Sequence, residues 1–305
     1  MKLRIRLPAS TSNLGPGFDC LGLALRMYNW LTVEETGESG LVIDVLGEGA
    51  GEIATDERNI VYRAMKRLFD EVGCPVPGLS MTLDNQIPIT RGLGSSAAAR
   101  VGGLIAANLL TGSHFSRERL IDIAAELEGH PDNVVPALVG GLTISVTEKS
   151  YISFLRLDPP ENLSAVVVVP DFHLSTQTAR EILPTEIPKS DAVQNVGRAS
   201  LLVGAIVRGR FDLLRTAMED RLHQPYRERL IPGMRAILDA ALDAGALGTA
   251  LSGAGPTLLA LTAPEDGETI GGRMQSTWES YGIRSRVFVP GVDRGGAVIE
   301  ETVLE

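Results

Sequence analysis

A short β-rich run over residues 79–83 leads into Pro88-Ile89-Thr90-Arg91-Gly92-Leu93-Gly94-Ser95-Ser96-Ala97-Ala98-Ala99, which sets two glycines and two serines where an extended strand gives way to a helix. Glycines let the backbone approach a ligand, successive N–H groups point outward, and the positive end of the helix dipole faces the junction, so the segment suits a polyphosphate. A bare Gly-x-Gly would be read as a turn with a serine N-cap. Here the doubled serine and a first helical turn made only of small residues favour a nucleotide, which bulkier side chains would block. The segment is not a Walker A loop, because no Gly-Lys-Ser/Thr follows, nor a dinucleotide fingerprint, because the third glycine is missing.

Elsewhere the chain mixes both kinds of element. Alternating or β-rich runs mark strands over 3–7, 31–35 and 41–46, and the spacing of Ile60, Ala64, Leu68 and Val72 predicts a helix that stops at Gly73 and Pro75. A helix from Ser95 or Ser96 to Gly112 follows, then one capped by Ser116. A turn-rich connector at Pro159-Pro160 precedes the apolar run 165–169, which places a boundary between domains at 1–162 and 163–305. The second half reads as strand, helices over 191–207, 211–218 and 234–242, strands over 247–251 and 257–261, a helix over 268–278 and a strand over 285–289.

The 305 residues suffice for about two domains, and 44% apolar with 22% charged residues marks a chain with a real core. A formal charge of −10 with no basic cluster argues against nucleic acid. No stretch reaches the roughly 18 uninterrupted apolar residues of a membrane span, so no membrane partner is expected. Cys20 and Cys74 stand at no metal-ligand spacing, and a cytoplasmic setting is the expectation.

Three further segments carry polar chemistry. Pro8 to Asp19 reads as a polar loop whose amide and carboxylate could grip an ammonium or hydroxyl group. Glu126-Leu127-Glu128-Gly129-His130-Pro131-Asp132-Asn133 puts acidic residues at a helix end, against its dipole, where a cation such as Mg²⁺ would relieve them. Ser252-Gly253-Ala254-Gly255-Pro256-Thr257 lies between two apolar strands and could join the first glycine loop on one phosphate chain.

Together these four segments resemble those of the GHMP kinases, and within that superfamily they are similar to the homoserine kinases. Ser175-Thr176-Gln177-Thr178-Ala179-Arg180 and Gln224-Pro225-Tyr226-Arg227 extend the resemblance into the second half. It implies an α+β, two-domain fold, with an N-terminal, ATP-binding domain like ribosomal protein S5 domain 2 and a C-terminal ferredoxin-like domain. The implied reaction is ATP-dependent phosphorylation of L-homoserine, with a GHMP kinase acting on another small alcohol such as mevalonate, or an inactive nucleotide-binding relative, as alternatives. ATP would sit on Pro88, Ile89, Thr90, Arg91, Gly92, Leu93, Gly94, Ser95, Ser96, Ala97, Ala98, Ser252, Gly253, Ala254 and Gly255. The amino acid would be held by Asn13, Asp19, His130, Thr176, Arg180 and Arg227, and Mg²⁺ by Ser96 and Glu126, with Glu128 close by. Asn133 would orient the hydroxyl, Asp132 being the alternative base. The resemblance also suggests a homodimer.

Overall fold

The computed structural model describes residues 1–37 and 39–303. Alternation of apolar and polar residues builds β1 (Lys2–Ser12), which buries Leu3, Ile5 and Leu7, and β2 (Leu21–Thr36) returns antiparallel beside it. β3 (Leu41–Gly47) and β4 (Gly78–Asn85) are parallel to each other and joined through α1 (Ile60–Val72). The side chain of Asn59 accepts a hydrogen bond from the Val61 N–H, Val61, Ala64, Met65, Leu68 and Phe69 form the buried stripe, and Gly73 at φ 76° ends the helix.

α2 (Ser95–Leu110) packs on α1 and β1 through two glycines. A Cβ on Gly102 would lie 2.5 Å from Leu7 Cδ1, and one on Gly103 would lie 2.5 Å from the Val61 carbonyl oxygen. α3 (Arg117–Glu128), capped by Ser116, and the short α4 (Val134–Val139) complete this layer before β5 (Leu142–Thr147) and β6 (Ile152–Leu157). Between Pro8 and Ala9 the register of β1 against β2 shifts, so Pro8 pairs with Tyr28 but Ala9 with Leu25. Across this bulge β2 changes partner on its other side: residues 29–36 pair with β4 and residues 21–23 with β5.

The second half builds a separate four-stranded sheet. Its elements are β7 (Ser164–Pro170), α5 (Thr176–Glu181), α6 (Lys189–Arg208), α7 (Leu214–Ala217), α8 (Gln224–Arg227), α9 (Met234–Asp243), β8 (Gly248–Leu251), β9 (Leu258–Thr262), α10 (Gly267–Ser280) and β10 (Ser285–Phe288). The strand order β10-β7-β9-β8, all antiparallel, with α9 and α10 on one face, is the ferredoxin-like arrangement. Val166 and Val168 belong to a core cluster with Ile237, Ile270, Met274 and Trp278, while Ala165, Val167 and Val169 belong to the other cluster, which takes in the first sheet's core and Leu202, Ala205 and Ile206 of α6. Both faces of β7 are covered, which is why its sequence is an unbroken apolar run.

The structure departs from the sequence reading in three ways. The run 211–218 is one turn of 3₁₀-helix followed by the four-residue α7. Residues 8–12 are strand, and Ser10, Thr11 and Ser12 are buried, so the polar loop begins only at Asn13. Finally, β11 (Val298–Val303), a strand the sequence reading did not place, crosses back and pairs antiparallel with β1 in the first sheet.

Candidate active site

The cleft between the two sheets has a volume of about 360 Å³, within the range of small-ligand sites. Its floor is the strand-to-helix junction. Asn29 accepts from the N–H groups of Gln86 and Ile87 at 2.9 Å each, steering the chain out of β4 toward Pro88. Gly92 and Gly94 adopt φ of 75° and 69°, open to glycine without strain. Gly94 is the N-cap of α2, with no side-chain capping bond and no acidic residue in the first turn, so the first N–H groups are left for a ligand.

The Ser252–Gly255 loop closes on that junction from the second domain. Ser252 Oγ donates to the Gly92 carbonyl at 2.6 Å, and a Cβ on Gly92 would stand 2.2 Å from the Ser252 carbonyl oxygen. The Gly253 N–H donates to the Ser12 carbonyl at 3.1 Å, and Asn13 Nδ2 donates to the Gly253 carbonyl at 2.9 Å. The two glycine loops therefore meet, and β1 is the seam between them.

Beneath Gly94 the buried serines of β1 hold Asn133. Ser10 Oγ donates to its Oδ1 at 2.9 Å and its Nδ2 donates to Ser12 Oγ at 3.0 Å. A Cβ on Gly94 would fall 2.1 Å from Ser10 Oγ and 3.1 Å from Asn133 Oδ1, so this glycine makes room for the polar network as well as for a ligand. Asp132 is buried against it, 2.5 Å from His130 Nδ1. Burial pulls the His130 imidazole down, but its hydrogen bond to Asp132, with the charges of Asp132 and Glu128, outweighs this and leaves its pKa raised.

Asp19, at φ 55° in the loop after β1, meets a bidentate fork from Arg180 with bonds of 2.9 and 2.7 Å. Ligand atoms of Asp19, His130 and Asp132 lie within 4.8 Å of one another, a cluster able to receive a cation. Arg227 is only 1% exposed and donates to the carbonyls of Ala179 at 2.9 Å and Gly253 at 3.2 Å. Burial first, then the neighbouring Arg180, pushes its pKa down to about 10, which leaves it charged at neutral pH. Phe18 lies beneath both guanidinium groups, 5.6 Å from Arg180 and 5.3 Å from Arg227.

Of the residues expected from sequence, Asn13, Asp19, Pro88, Thr90, Arg91, Gly92, Leu93, Gly94, Ser95, Ser96, His130, Asp132, Asn133, Thr176, Arg180, Arg227, Gly253 and Ala254 line this cleft. Ile89, Ala97, Ala98, Ser252 and Gly255 stand behind its wall. Glu126 does not take part: it is 63% exposed and lies 3.6 Å from Arg67, on another side of α3. Glu128 faces the cleft instead and accepts a 3.1 Å bond from Ser96 Oγ. A hydroxyl and a carboxylate beside an open helix N-terminus suit a small hard cation whose remaining ligands are phosphate oxygens.

The sequence reading missed Ser10, Ser12, Phe18, Asn29, Arg100 and His223. His223 is fully buried, with Nε2 at 2.8 Å from the Gly15 carbonyl and Nδ1 at 3.2 Å from Arg227 Nη1. Both contacts are satisfied by the neutral tautomer that donates from Nε2 and accepts at Nδ1, and burial keeps the pKa below its ordinary value. Ser10, Ser12 and Phe18 lie in the segment 8–19 already singled out, without roles of their own, and Arg100 left a signal four residues beyond Ser96, on the same helix face.

Residues 59–141 match the family model of the GHMP kinases N terminal domain, and residues 202–280 match that of the GHMP kinases C terminal. A homoserine kinase of Synechococcus sp. is 45% identical over 304 residues, 99% of this chain and 99% of that protein. One from Caldicellulosiruptor bescii is 51% identical over 259 residues, 85% of this chain and 84% of its own. The crystal structure of homoserine kinase from Cytophaga hutchinsonii superposes with a TM-score of 0.89 at 33% identity, covering 98% of this chain and 97% of that one. A mevalonate kinase structure shares the fold, with a TM-score of 0.71 at 17% identity over 96% of this chain and 99% of its own.

Proposed function

The chain belongs to the GHMP kinases, and from that membership we propose that it transfers the γ-phosphoryl group of ATP to the side-chain hydroxyl of L-homoserine, giving O-phospho-L-homoserine. The relatives support the acceptor, and one feature of the cleft carries it independently: a carboxylate and two guanidinium groups, Asp19, Arg180 and Arg227, gathered where an acceptor would lie. A zwitterionic amino acid complements that set. Its ammonium takes Asp19 and its carboxylate takes the forks of Arg180 and Arg227, so substrate enters by dividing the Asp19–Arg180 ion pair and each of its two charges meets an opposite one. Mevalonate has no ammonium for Asp19.

The triphosphate lies along the N–H groups of residues 92–96, at the positive end of α2. A divalent cation on Ser96 and Glu128 would offset charge on the phosphate oxygens. Phosphoryl transfer then needs chiefly alignment, because its transition state is loose. Asn133, locked by Ser10 and Ser12, orients the hydroxyl. Asp132 is already engaged by His130 Nδ1 at 2.5 Å, so its carboxylate is committed to the imidazole and not to the hydroxyl. The proton passes to phosphate late in the reaction.

ADP release measured with homoserine, serine, mevalonate and galactose tests the acceptor: homoserine is expected to dominate, and equal turnover of mevalonate would overturn the reading. Kinetics of Asp132→Asn and Asn133→Ala at saturating substrates test the chemistry. The second variant should lose more kcat than the first; a large kcat loss in Asp132→Asn with binding intact would make Asp132 the base.

A further inference from the structure

Ser96 and Glu128, the pair suited to a divalent cation, already share a cation. Nη1 of Arg100 bonds both Ser96 Oγ and Glu128 Oε2, and Ser96 Oγ lies 3.1 Å from the same carboxylate oxygen. Arg100 follows Ser96 by one turn of α2, and its side chain lines the cleft. Glu128 is the last residue of α3, where the negative end of the helix dipole disfavours a carboxylate, and its side chain is only 12% exposed. A carboxylate with so little exposure in that place requires a positive partner. Arg67 cannot supply it, since that guanidinium pairs with Glu71 and Glu126.

Arg100 and a divalent cation compete for Glu128, because their mutual repulsion at contact distance is strong in a partly desolvated cleft. We propose that Arg100 is the resident counter-ion of the metal site: it neutralises Glu128 and keeps Ser96 in place in the empty enzyme, and it yields Glu128 to the divalent cation that arrives with the nucleotide. The inference rests on the reading of Ser96 and Glu128 as the metal ligands. Its consequence is that the empty protein binds free divalent cation weakly, so metal enters together with phosphate oxygens able to offset the displaced guanidinium.

The test is binding of Mn²⁺ to the nucleotide-free chain, followed by electron paramagnetic resonance. Arg100→Gln keeps hydrogen-bonding capacity without charge and should bind Mn²⁺ about tenfold or more tightly than wild type, from the loss of one positive charge at contact distance. Arg100→Met should do the same, and Arg100→Lys should stay near wild type. The gain must vanish in Arg100→Gln/Glu128→Gln. Equal or weaker binding in both neutral variants, or a gain that survives loss of Glu128, would overturn the proposal. An Mn²⁺–ADP spectrum that Glu128→Gln leaves unchanged would remove the metal site and the role of Arg100 with it. None of these readouts involves the acceptor, so a failure of the homoserine assignment would be seen separately, in the ADP-release assay.

Discussion

Burying a guanidinium is costly unless its donors are used, and Arg227 shows how this cleft meets the cost. Two carbonyls and the neutral ring of His223 take up most of its donors, and Phe18, stacked on His223 at 5.1 Å between centroids, supports it from below. What remains is a rigid cation with one direction left to point. Arg227→Lys cannot reproduce that fork, and a charged hydrogen bond contributes about 1.5–3 kcal/mol, so KM for homoserine should rise roughly ten- to a hundredfold. KM for ATP should stay within about twofold; an unchanged homoserine KM would dismiss Arg227 as a carboxylate ligand. His223→Ala should act in the same direction, since it frees the guanidinium to turn.

The His130–Asp132 pair has a pH signature. The folded pKa of His130 stands above its ordinary value of about 6.5, so the pair's contribution to stability is complete below that value and is lost as pH rises through the folded pKa. The gap in Tm between wild type and His130→Gln should therefore be wider at about pH 6 than at about pH 9. A gap that grows with pH would mean that the imidazole is held neutral.

Among the elements, α2 has the least freedom. Its N-terminus carries no side-chain cap, and its middle must approach α1 at backbone distance through Gly103. Gly103→Val would drive a Cβ against the Val61 carbonyl and push the helix away, costing about 1–3 kcal/mol or more and moving Gly94 off Ser10. Denaturant melts should show lower stability, and nucleotide affinity should fall with it; wild-type affinity would mean that the helix terminus is positioned by its loop alone. α1, α2 and β7 were legible because periodicity, caps or an unbroken apolar run marked them. β2 was not, beyond residues 31–35, because its first half is buried among several partners and bulges opposite Pro8, so no alternation survives. The short α4, α5 and α8 have too few turns to display a period, although α8 delivers Arg227.

At the level of the whole molecule, the last strand ties the two domains together. β11 pairs with β1, and Glu300 there accepts from Trp30 Nε1 at 3.1 Å and lies 3.7 Å from Arg4 and 3.6 Å from Arg6. Arg286 of β10 adds a 2.6 Å bond to Glu48, just after β3. Ending the chain at residue 297 should lower Tm by at least about 3 °C, since roughly 1 kcal/mol corresponds to 2–4 °C in a chain of somewhat smaller size. Circular dichroism melts would read it, and an unaltered Tm would show that β11 is dispensable to the sheet.

The glycine-rich junction between strand and helix was determined by sequence alone, because glycine conformation, small side chains and a helix dipole are local properties. So was the two-sided burial of β7. Tertiary structure decided which carboxylate faces the cleft: Glu126 and Glu128 are two residues apart on α3 and point about 160° from each other, yet nothing in their spacing says which of them faces it. It also decided the partners of Asn133, Arg100 and His223, whose contacts join residues up to 208 positions apart. Apart from the bonds of Arg100 to Ser96 and of His223 to Arg227, each one helical turn away, such contacts form only when distant segments pack together, and no short window of sequence contains them.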